Sequence, residues 1–246
     1  MNGLAAAKDW INAGLSFLYP EICKLCAESR ASRDQGYVCD KCRSAVKFLD
    51  PPFCDRCGLP YEGAITGTFE CGNCKDLKLH FHSARSAVAA TEKILEAIHH
   101  YKYNRALWFE PFLAGLLIER AQPVLAASSW DAIVPVPLHS AKLREREFNQ
   151  AERLSRRLSG TMRIPVETGY VRRAVPTRTQ TLLSREERLA NVRNAFVTAE
   201  GLNLTGKTLV LVDDVMTTGA TTSACAKVLR QAGADKVCVW TVARGT

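Results

Sequence analysis

Hydrophobic and polar positions alternate from residue 83 onward in the order expected of strands followed by helices. Short apolar runs predict strands at residues 83–90, 131–137, 196–197, 208–212 and 237–242. Apolar residues at helical spacing predict helices over residues 91–103, 110–127, 141–158 and 220–232. Val171 begins a polar connection that contains proline and threonine. The alternation indicates an α/β fold with a mainly parallel sheet covered by helices, in which ligands bind at the carboxyl ends of the strands.

The first eighty residues follow a different pattern. Apolar residues at helical spacing in residues 1–20 predict a short amphipathic helix. From residue 21 to residue 75 the apolar periodicity is weak and glycine and proline are frequent, so this segment depends on bound metal for its fold. We therefore expect three units, namely the helix at 1–20, a metal-binding module at 21–80 and the α/β domain at 81–246.

Eight of the ten cysteines lie in the predicted module as four CxxC pairs. A CxxC places two thiolates on one tight turn, and two such turns close a tetrahedral Zn²⁺ site. We predict two structural zinc ions in a double ribbon, with sequential pairing of the CxxC turns favoured over an interleaved arrangement. The predicted ligands are Cys23, Cys26, Cys39 and Cys42 at one site and Cys54, Cys57, Cys71 and Cys74 at the other.

A disulfide framework is the alternative use of these cysteines, and it requires an oxidising compartment. Lys8 and Asp9 interrupt the apolar run that a secretory signal needs, which favours zinc. No apolar run is long enough to cross a membrane. We therefore expect a cytoplasmic protein without a membrane partner.

The positive charge of the chain is concentrated in one stretch. The formal net charge is +8, and residues 142–193 carry thirteen Lys and Arg against six Asp and Glu. One interpretation is a solvated surface of basic helices. The other is a patch that binds phosphates, on a small molecule or on a nucleic acid.

The apolar run at residues 208–212 ends in two adjacent acids, and a loop that contains glycine follows. Asp213 and Asp214 emerge at the carboxyl end of the sheet, where paired carboxylates can accept hydrogen bonds from vicinal ribose hydroxyls. The loop then turns into a helix, so that backbone N–H groups converge with the helix dipole behind them and form an anion site. The predicted phosphate-binding residues are Thr217, Thr218, Gly219, Ala220 and Thr221. An acidic strand end followed by a capped helix, without a ligand, is the alternative interpretation.

A second phosphate motif is a chance match. Residues 201–208, GLNLTGKT, satisfy the GxxxxGK[ST] pattern of a P-loop. A P-loop needs a strand before it and a helix immediately after it. Here the match runs directly into the strand at 208–212, so we predict a turn that enters the sheet.

A loop at the end of the strand at 131–137 is the predicted partner of this site. The segment VPVPLH is followed by the basic segment LREREFNQ. Arg144 and Arg146 are placed to neutralise a diphosphate, with solvated helix charges as the alternative. Lys102 and Arg105 are weaker candidates for the same pocket.

The segment VDDVMTTGAT resembles the signature of type I phosphoribosyltransferases. Such enzymes present two acids to the ribose of phosphoribosyl pyrophosphate and the following loop to its 5′-phosphate. The resemblance assigns the loop that holds pyrophosphate to Val136, Pro137 and Leu138. It also implies Mg²⁺ carried on the pyrophosphate.

The whole chain resembles the ComF/GntX family of competence-associated proteins. The resemblance rests on the cysteine module, the helix that ends in YKY, and the segments VPVPLH, FNQ and VDDVMTTGAT. Further matching positions are Thr177, Gln180, Arg188, Asn191 and Phe196. The family usually has glycine where this chain has Glu147 and Leu182, so bulk or charge replaces backbone freedom at both positions. The resemblance implies a role in DNA uptake, with single-stranded DNA and a DNA-uptake helicase as partners.

Two functions from different classes follow. The first is a phosphoribosyltransferase, in which Asp213 and Asp214 are catalytic because they orient the ribose and stabilise its developing charge, while Arg144 and Arg146 stabilise the leaving pyrophosphate. The second is an accessory module of the DNA-uptake machinery that binds single-stranded DNA or a partner without turnover. Release of pyrophosphate in the presence of candidate bases separates the two.

Overall fold

The computed structural model describes residues 21–61, 63, 67–75, 78–175, 192 and 194–245. The predicted amphipathic helix at 1–20 lies outside the described residues. The positions at 177, 180, 182, 188 and 191 that were compared with the ComF/GntX family also lie outside them.

A four-stranded parallel sheet forms the centre of the fold, in the order β1-β6-β5-β2. The sequence predicts an α/β fold with a mainly parallel sheet, and this is confirmed. Apolar residues fill the first part of strand β5, where positions 209–212 are all buried, as expected of a strand covered on both faces. The strands are β1 (Ser83–Ala89), β2 (Ala132–Pro135), β3 (Val171–Arg173), β4 (Phe196–Thr198), β5 (Thr208–Met216) and β6 (Lys236–Arg244).

Helices connect and cover these strands. They are α1 (Asp40–Ser44), α2 (Gly72–Lys75), α3 (Glu92–Tyr103), α4 (Glu110–Leu125), α5 (Ser140–Arg146), α6 (Gln150–Met162) and α7 (Ala220–Gln231), with a 3₁₀ turn at Leu107–Phe109. Residues 201–208 lead straight into β5, and the Thr208 amide donates to Asp131 Oδ2 over 2.8 Å. The segment GLNLTGKT is therefore a turn that enters the sheet, as predicted.

The prediction of one continuous helix over 141–158 is wrong, because the segment forms α5 and α6 with a break between them. Glu147 ends α5 with φ +69°, in the left-handed region that favours glycine. This is one of the two positions at which the chain departs from the glycine of the ComF/GntX pattern. Asn149 then caps α6, since its Oδ1 accepts the Ala151 amide over 3.0 Å.

The prediction of a polar connection from Val171 is also wrong at its start. Residues 171–173 form β3, which pairs antiparallel with β4. The strand is short, and its partner lies more than twenty residues further along the chain, so the local pattern carries little signal for it.

The cysteine module packs directly on the α/β domain. Cys23, Cys39 and Cys42 belong to the buried cluster that contains α4 and α6, and Cys26 packs against it. The cluster on the opposite side of the sheet, which contains α7, includes Cys54, Cys57, Cys71 and Cys74. A Cβ added at Gly58 would lie 2.6 Å from the Ala84 carbonyl oxygen of β1. The module and the sheet share their core, and a domain boundary at residue 80 stays a prediction.

Helices able to span a bilayer are not found in the described part of the chain, because none combines sufficient length with sufficient apolar character.

Candidate functional site

A polar cavity of about 420 Å³ opens at the carboxyl ends of β2 and β5. The fold brings there the two acids near the end of β5, the loop that follows β2, and the ends of α3 and α5. Its lining residues are Lys102, Tyr103, Val136, Pro137, Leu138, His139, Ala141, Lys142, Glu145, Arg146, Gln150, Arg173, Asp213, Asp214, Val215 and Thr221.

Asp213 and Asp214 form the floor of the cavity, and both are buried. The Asp214 amide donates to Asp213 Oδ1 over 2.9 Å. Asp214 Oδ2 forms an ion pair with Lys102 Nζ, and Gln150 Nε2 donates to Asp214 Oδ1 over 3.4 Å. The two acids therefore differ in their partners, since the ammonium and the amide both contact Asp214.

This difference separates the ionisation of the two acids. Burial and the adjacent Asp214 charge raise the pKa of Asp213 well above its usual range. Burial acts in the same direction on Asp214, but the Lys102 ammonium and the hydrogen bonds outweigh it and lower the pKa of Asp214. The pKa values of the two adjacent acids are therefore shifted in opposite directions, upward at Asp213 and downward at Asp214.

Arg146 is the arginine of the basic segment that enters the cavity. It is buried, its Nη1 donates to Gln150 Oε1, and its guanidinium lies 5.0 Å from the centre of the Tyr103 ring. Arg144 is on the exposed side of α5 and is not among the lining residues. Arg105 forms an ion pair with Glu147 over 2.8 Å and lines a smaller neighbouring cavity.

The loop after β5 turns sharply into α7. Gly219 is the residue before the helix and has φ +77°. The Ala220 amide donates to Thr218 Oγ1 over 3.3 Å. Of the five predicted phosphate-binding residues, Thr221 lines the cavity, whereas residues 217–220 form the turn beside it.

The loop after β2 also lines the cavity, through Val136, Pro137 and Leu138. Asn149 fixes its position, because Asn149 Nδ2 donates to the Val136 carbonyl oxygen over 3.0 Å. His139 caps the beginning of α5, with its Nδ1 accepting the Ala141 amide over 3.2 Å.

Several lining residues were not predicted from the sequence. Gln150 contacts both Arg146 and Asp214, which makes it the link between the cation and the acid. Its place in the FNQ segment was the available signal. Arg173 also lines the cavity from β3, and burial lowers its pKa while the nearby Asp213 acts against that shift. No local pattern marks Arg173, because β3 itself was not predicted.

The eight cysteines of the module form two groups of four, and the predicted sequential grouping is confirmed. The first cluster is Cys23, Cys26, Cys39 and Cys42, and the second cluster is Cys54, Cys57, Cys71 and Cys74. Within each cluster the possible ligand atoms all lie within 4.8 Å of one another.

The sulfur spacing fits a metal and does not fit disulfides. The sulfurs of Cys26 and Cys39 are 3.7 Å apart in the first cluster, and neighbouring sulfurs of the second cluster are 3.6 to 3.7 Å apart. A tetrahedral Zn²⁺ with Zn–S bonds of about 2.3 Å separates its sulfurs by about 3.8 Å, whereas a disulfide requires about 2.05 Å. The described cysteines are free of disulfides. These residues therefore fit two structural zinc ions.

The thiols also need a cation in order to ionise together. Backbone amides of Glu28 and Ser29 lower the pKa of Cys26 to about 6. Burial and the neighbouring sulfurs raise the pKa of Cys42 to about 12, and burial raises the pKa of Cys74 as well. Zn²⁺ would supply the positive charge that allows four thiolates to coexist.

Part of the basic stretch at 142–193 is compensated within the protein. Arg157 Nε lies 2.6 Å from Glu110 Oε1, and Arg153 Nε contacts the other carboxylate oxygen of this buried residue. Arg156 pairs with Glu152 over 2.7 Å. The surplus of charge counted along the sequence is thus larger than the charge that these helices present to a ligand.

Comparison with known proteins agrees with the cysteine geometry. Residues 14–75 match the double zinc ribbon domain. Two solved structures have partial similarity to this chain. Glutamine phosphoribosylpyrophosphate amidotransferase from B. subtilis is 25% identical over 52% of this chain and 25% of its own, with a TM-score of 0.33. Adenine phosphoribosyltransferase from Saccharomyces cerevisiae is 16% identical over 57% of this chain and 73% of its own, with a TM-score of 0.35.

Relatives of known sequence cover most of the chain. DNA utilization protein YhgH from Escherichia coli (strain K12) is 31% identical over 92% of this chain and 97% of its own length. Competence protein ComFC from Bacillus subtilis (strain 168) is 26% identical over 86% of this chain and 90% of its own length. Competence protein F from Haemophilus influenzae is 32% identical over 84% of this chain and 90% of its own length. On this similarity the chain belongs to the competence protein F, or ComF, family.

Proposed function

We propose that the cavity binds phosphoribosyl pyrophosphate or ribose 5-phosphate, with Mg²⁺ carried on the diphosphate. One observation carries this proposal: buried Asp213 and Asp214 share a cavity with Lys102 and Arg146, beside the turn that begins α7. A ligand that has a diol between two phosphate groups matches this order of acids and cations.

Each part of the ligand has a partner in this arrangement. The diol would donate hydrogen bonds to Asp213 and Asp214, and the 5′-phosphate would accept the amides of residues 217–221. The diphosphate would lie against the loop at 136–138 and Arg146. Lys102 contacts Asp214 and lines the same cavity as Arg146, so its ammonium would be a second cation for the diphosphate.

The reaction that suits these groups is transfer of the phosphoribosyl group with release of pyrophosphate. Positive charge develops on the ribose ring as the bond to pyrophosphate breaks, and the Asp214 carboxylate can stabilise that charge. Arg146 and the Mg²⁺ on the diphosphate would stabilise the leaving group. Asp213 and Asp214 are therefore the proposed catalytic residues.

Calorimetry with phosphoribosyl pyrophosphate and Mg²⁺ tests the binding site. We expect binding by the wild-type protein and roughly 10- to 100-fold weaker binding by the Asp213→Asn, Asp214→Asn double variant, because charged hydrogen bonds to the diol are lost. Deoxyribose 5-phosphate should bind more weakly than ribose 5-phosphate for the same reason. If the wild-type protein gives no heat of binding, or if the double variant binds with equal affinity, these acids support the fold and do not bind the ligand.

Turnover needs its own measurement. Release of pyrophosphate upon addition of one of the common bases would establish a transferase. Binding of the phosphoribosyl ligand without release would instead favour a ligand-sensing accessory module.

We further propose that the protein acts in DNA uptake or use in the cytoplasm, with single-stranded DNA and a DNA-uptake helicase as partners. The names of its relatives, competence protein F and DNA utilization protein, support this role. The zinc-ribbon module and the net positive charge are compatible with contacts to nucleic acid or to another protein.

Binding of single-stranded DNA, measured by fluorescence anisotropy, should be tolerant of sequence and should weaken steeply with salt. Arg156→Glu tests the contribution of α6, and we expect it to weaken binding about three-fold and to reduce the salt slope by about one. Arg153 and Arg157 are unsuitable for this purpose because they compensate the buried Glu110. Affinity that is insensitive to ionic strength would contradict an electrostatic mode.

A further inference from the structure

Arg244 is a buried cation at the carboxyl end of the sheet. It is the last residue of β6 and lies opposite Met216 of β5 and Ala89 of β1. Its side chain is inside the protein, with 4% of the residue exposed. A buried guanidinium remains charged at neutral pH, so its surroundings must replace the water that it has lost.

The first group of contacts fixes the backbone that precedes the phosphate loop. Arg244 Nη1 donates to the carbonyl oxygens of Met216, over 3.1 Å, and of Thr217. It also donates to the Gly245 carbonyl over 3.2 Å, and the Gly245 amide donates to the Met216 carbonyl over 2.9 Å. The guanidinium therefore fixes the direction in which the chain leaves β5 towards residues 217–221.

The second contact joins Arg244 to the cysteine module. Arg244 Nη2 lies 3.7 Å from Cys57 Sγ in the second cluster. Among the hydrogen-bond acceptors described for this side chain, the three carbonyls are neutral, and the sulfur alone can carry a negative charge. A Zn²⁺ bound by four thiolates has a net charge of about −2, so the metal site supplies the counter-ion that the buried arginine needs.

We infer that Arg244 is a positioning residue that couples the second zinc site to the phosphate loop. On one side of the guanidinium, Nη2 contacts Cys57, which would be bound to the metal. On the other side, Nη1 donates to the carbonyls of Met216 and Thr217. Loss of zinc removes the counter-ion and releases the loop. The inference rests on the proposed function only where ligand affinity is concerned, because the order of the loop can be measured without a ligand.

Coupling of this kind is reciprocal. If zinc at the second cluster orders the loop, then a phosphate ligand that orders the loop must also alter the environment of Cys57. The first cluster has no such link to the loop in the described contacts, although it too has a cation beside a sulfur. Lys93 Nζ lies 4.0 Å from Cys42 Sγ, and Lys93 is exposed. Lys93→Met is therefore a matched control for Arg244→Met.

Amide hydrogen exchange of residues 217–221, in the zinc-loaded protein without ligand, is the decisive measurement. We expect Arg244→Met to retain two zinc ions and to increase exchange in this loop at least 10-fold, with no change for Lys93→Met. Loop exchange equal to wild type in Arg244→Met would overturn the inference. Loss of the second zinc ion with loop exchange equal to wild type would also overturn it, because Arg244 would then support only the ribbon.

Two further measurements use the ligand and the metal. Arg244→Met should bind phosphoribosyl pyrophosphate about 10-fold more weakly, and Lys93→Met should bind it as wild type does. In Co²⁺-substituted protein, the ligand should shift the thiolate-to-metal absorption of the wild type and leave Arg244→Met unchanged. If wild-type protein binds no phosphoribosyl ligand, the proposed function fails while the exchange experiment still decides the coupling.

Discussion

Cys71→Ser is expected to reduce the zinc content from two ions per chain to one and to unfold the second half of the module. Structural zinc sites contribute on the order of 10 kcal/mol of binding free energy to the fold that they hold. The loss should extend into the α/β domain, because the second cluster is attached to β1. Arg85 Nη1 of that strand donates to the Asp55 carbonyl over 2.9 Å, and the Ala84 amide donates to the Arg56 carbonyl over 2.8 Å.

Metal analysis and thermal unfolding measure this result. Cys238→Ala is the matched control, since Cys238 is a buried cysteine of β6 outside both clusters. This variant should keep two zinc ions. Its unfolding temperature should fall only slightly, because it loses only the sulfur and its contact with Ser83 Oγ over 3.3 Å. Two zinc ions in Cys71→Ser, or none in wild-type protein with intact thiols, would show that the clusters do not act as tetrathiolate sites.

Gly219→Val is expected to abolish binding of phosphoribosyl pyrophosphate, with an affinity loss above about 100-fold. Gly219 has φ +77°, which costs a residue with a side chain about 1–2 kcal/mol. A Cβ there would also lie 2.9 Å from Met216 Cε and 3.5 Å from the Phe81 ring. We therefore expect valine, strained at this φ and crowded by Met216 and Phe81, to shift the loop whose amides are proposed to bind the phosphate.

Thr218→Ala is the control for this variant. It removes the hydroxyl that accepts the Ala220 amide but leaves the backbone path of the loop in place, so we expect an affinity loss of only a few-fold. Gly219→Ala should fall between the two variants. Calorimetry, accompanied by the unfolding temperature of each variant, distinguishes a displaced loop from an unfolded protein. If Gly219→Val binds phosphoribosyl pyrophosphate with wild-type affinity, this turn does not form part of the phosphate site.

Much of the architecture follows from local sequence patterns. The apolar run at 208–212 predicts β5 because a short, continuous apolar run rich in valine is typical of a strand covered on both faces. The CxxC spacing predicts the composition of both cysteine clusters, because each pair is fixed by a single turn. The adjacent acids at 213 and 214 mark the carboxyl end of this strand, where α/β folds bind their ligands.

The local sequence pattern did not predict those elements whose structure depends on contacts with a distant part of the chain. The helix break at Glu147 arises because Asn149 caps α6 and bonds to the Val136 carbonyl, a contact that periodicity does not contain. Strand β3 exists through its pairing with β4, and it brings Arg173 to the cavity.

The sequence by itself determined the α/β class, the zinc ligands and the two acids, because each depends on residues that are neighbours in the chain. The tertiary structure decided which cations face those acids. Arg146 and Arg144 are two residues apart on one short helix, so the helix turns one towards the cavity and the other towards solvent. It also decided the link from Cys57 through Arg244 to Met216, because electrostatic compensation of a buried charge depends on distances between residues far apart in sequence.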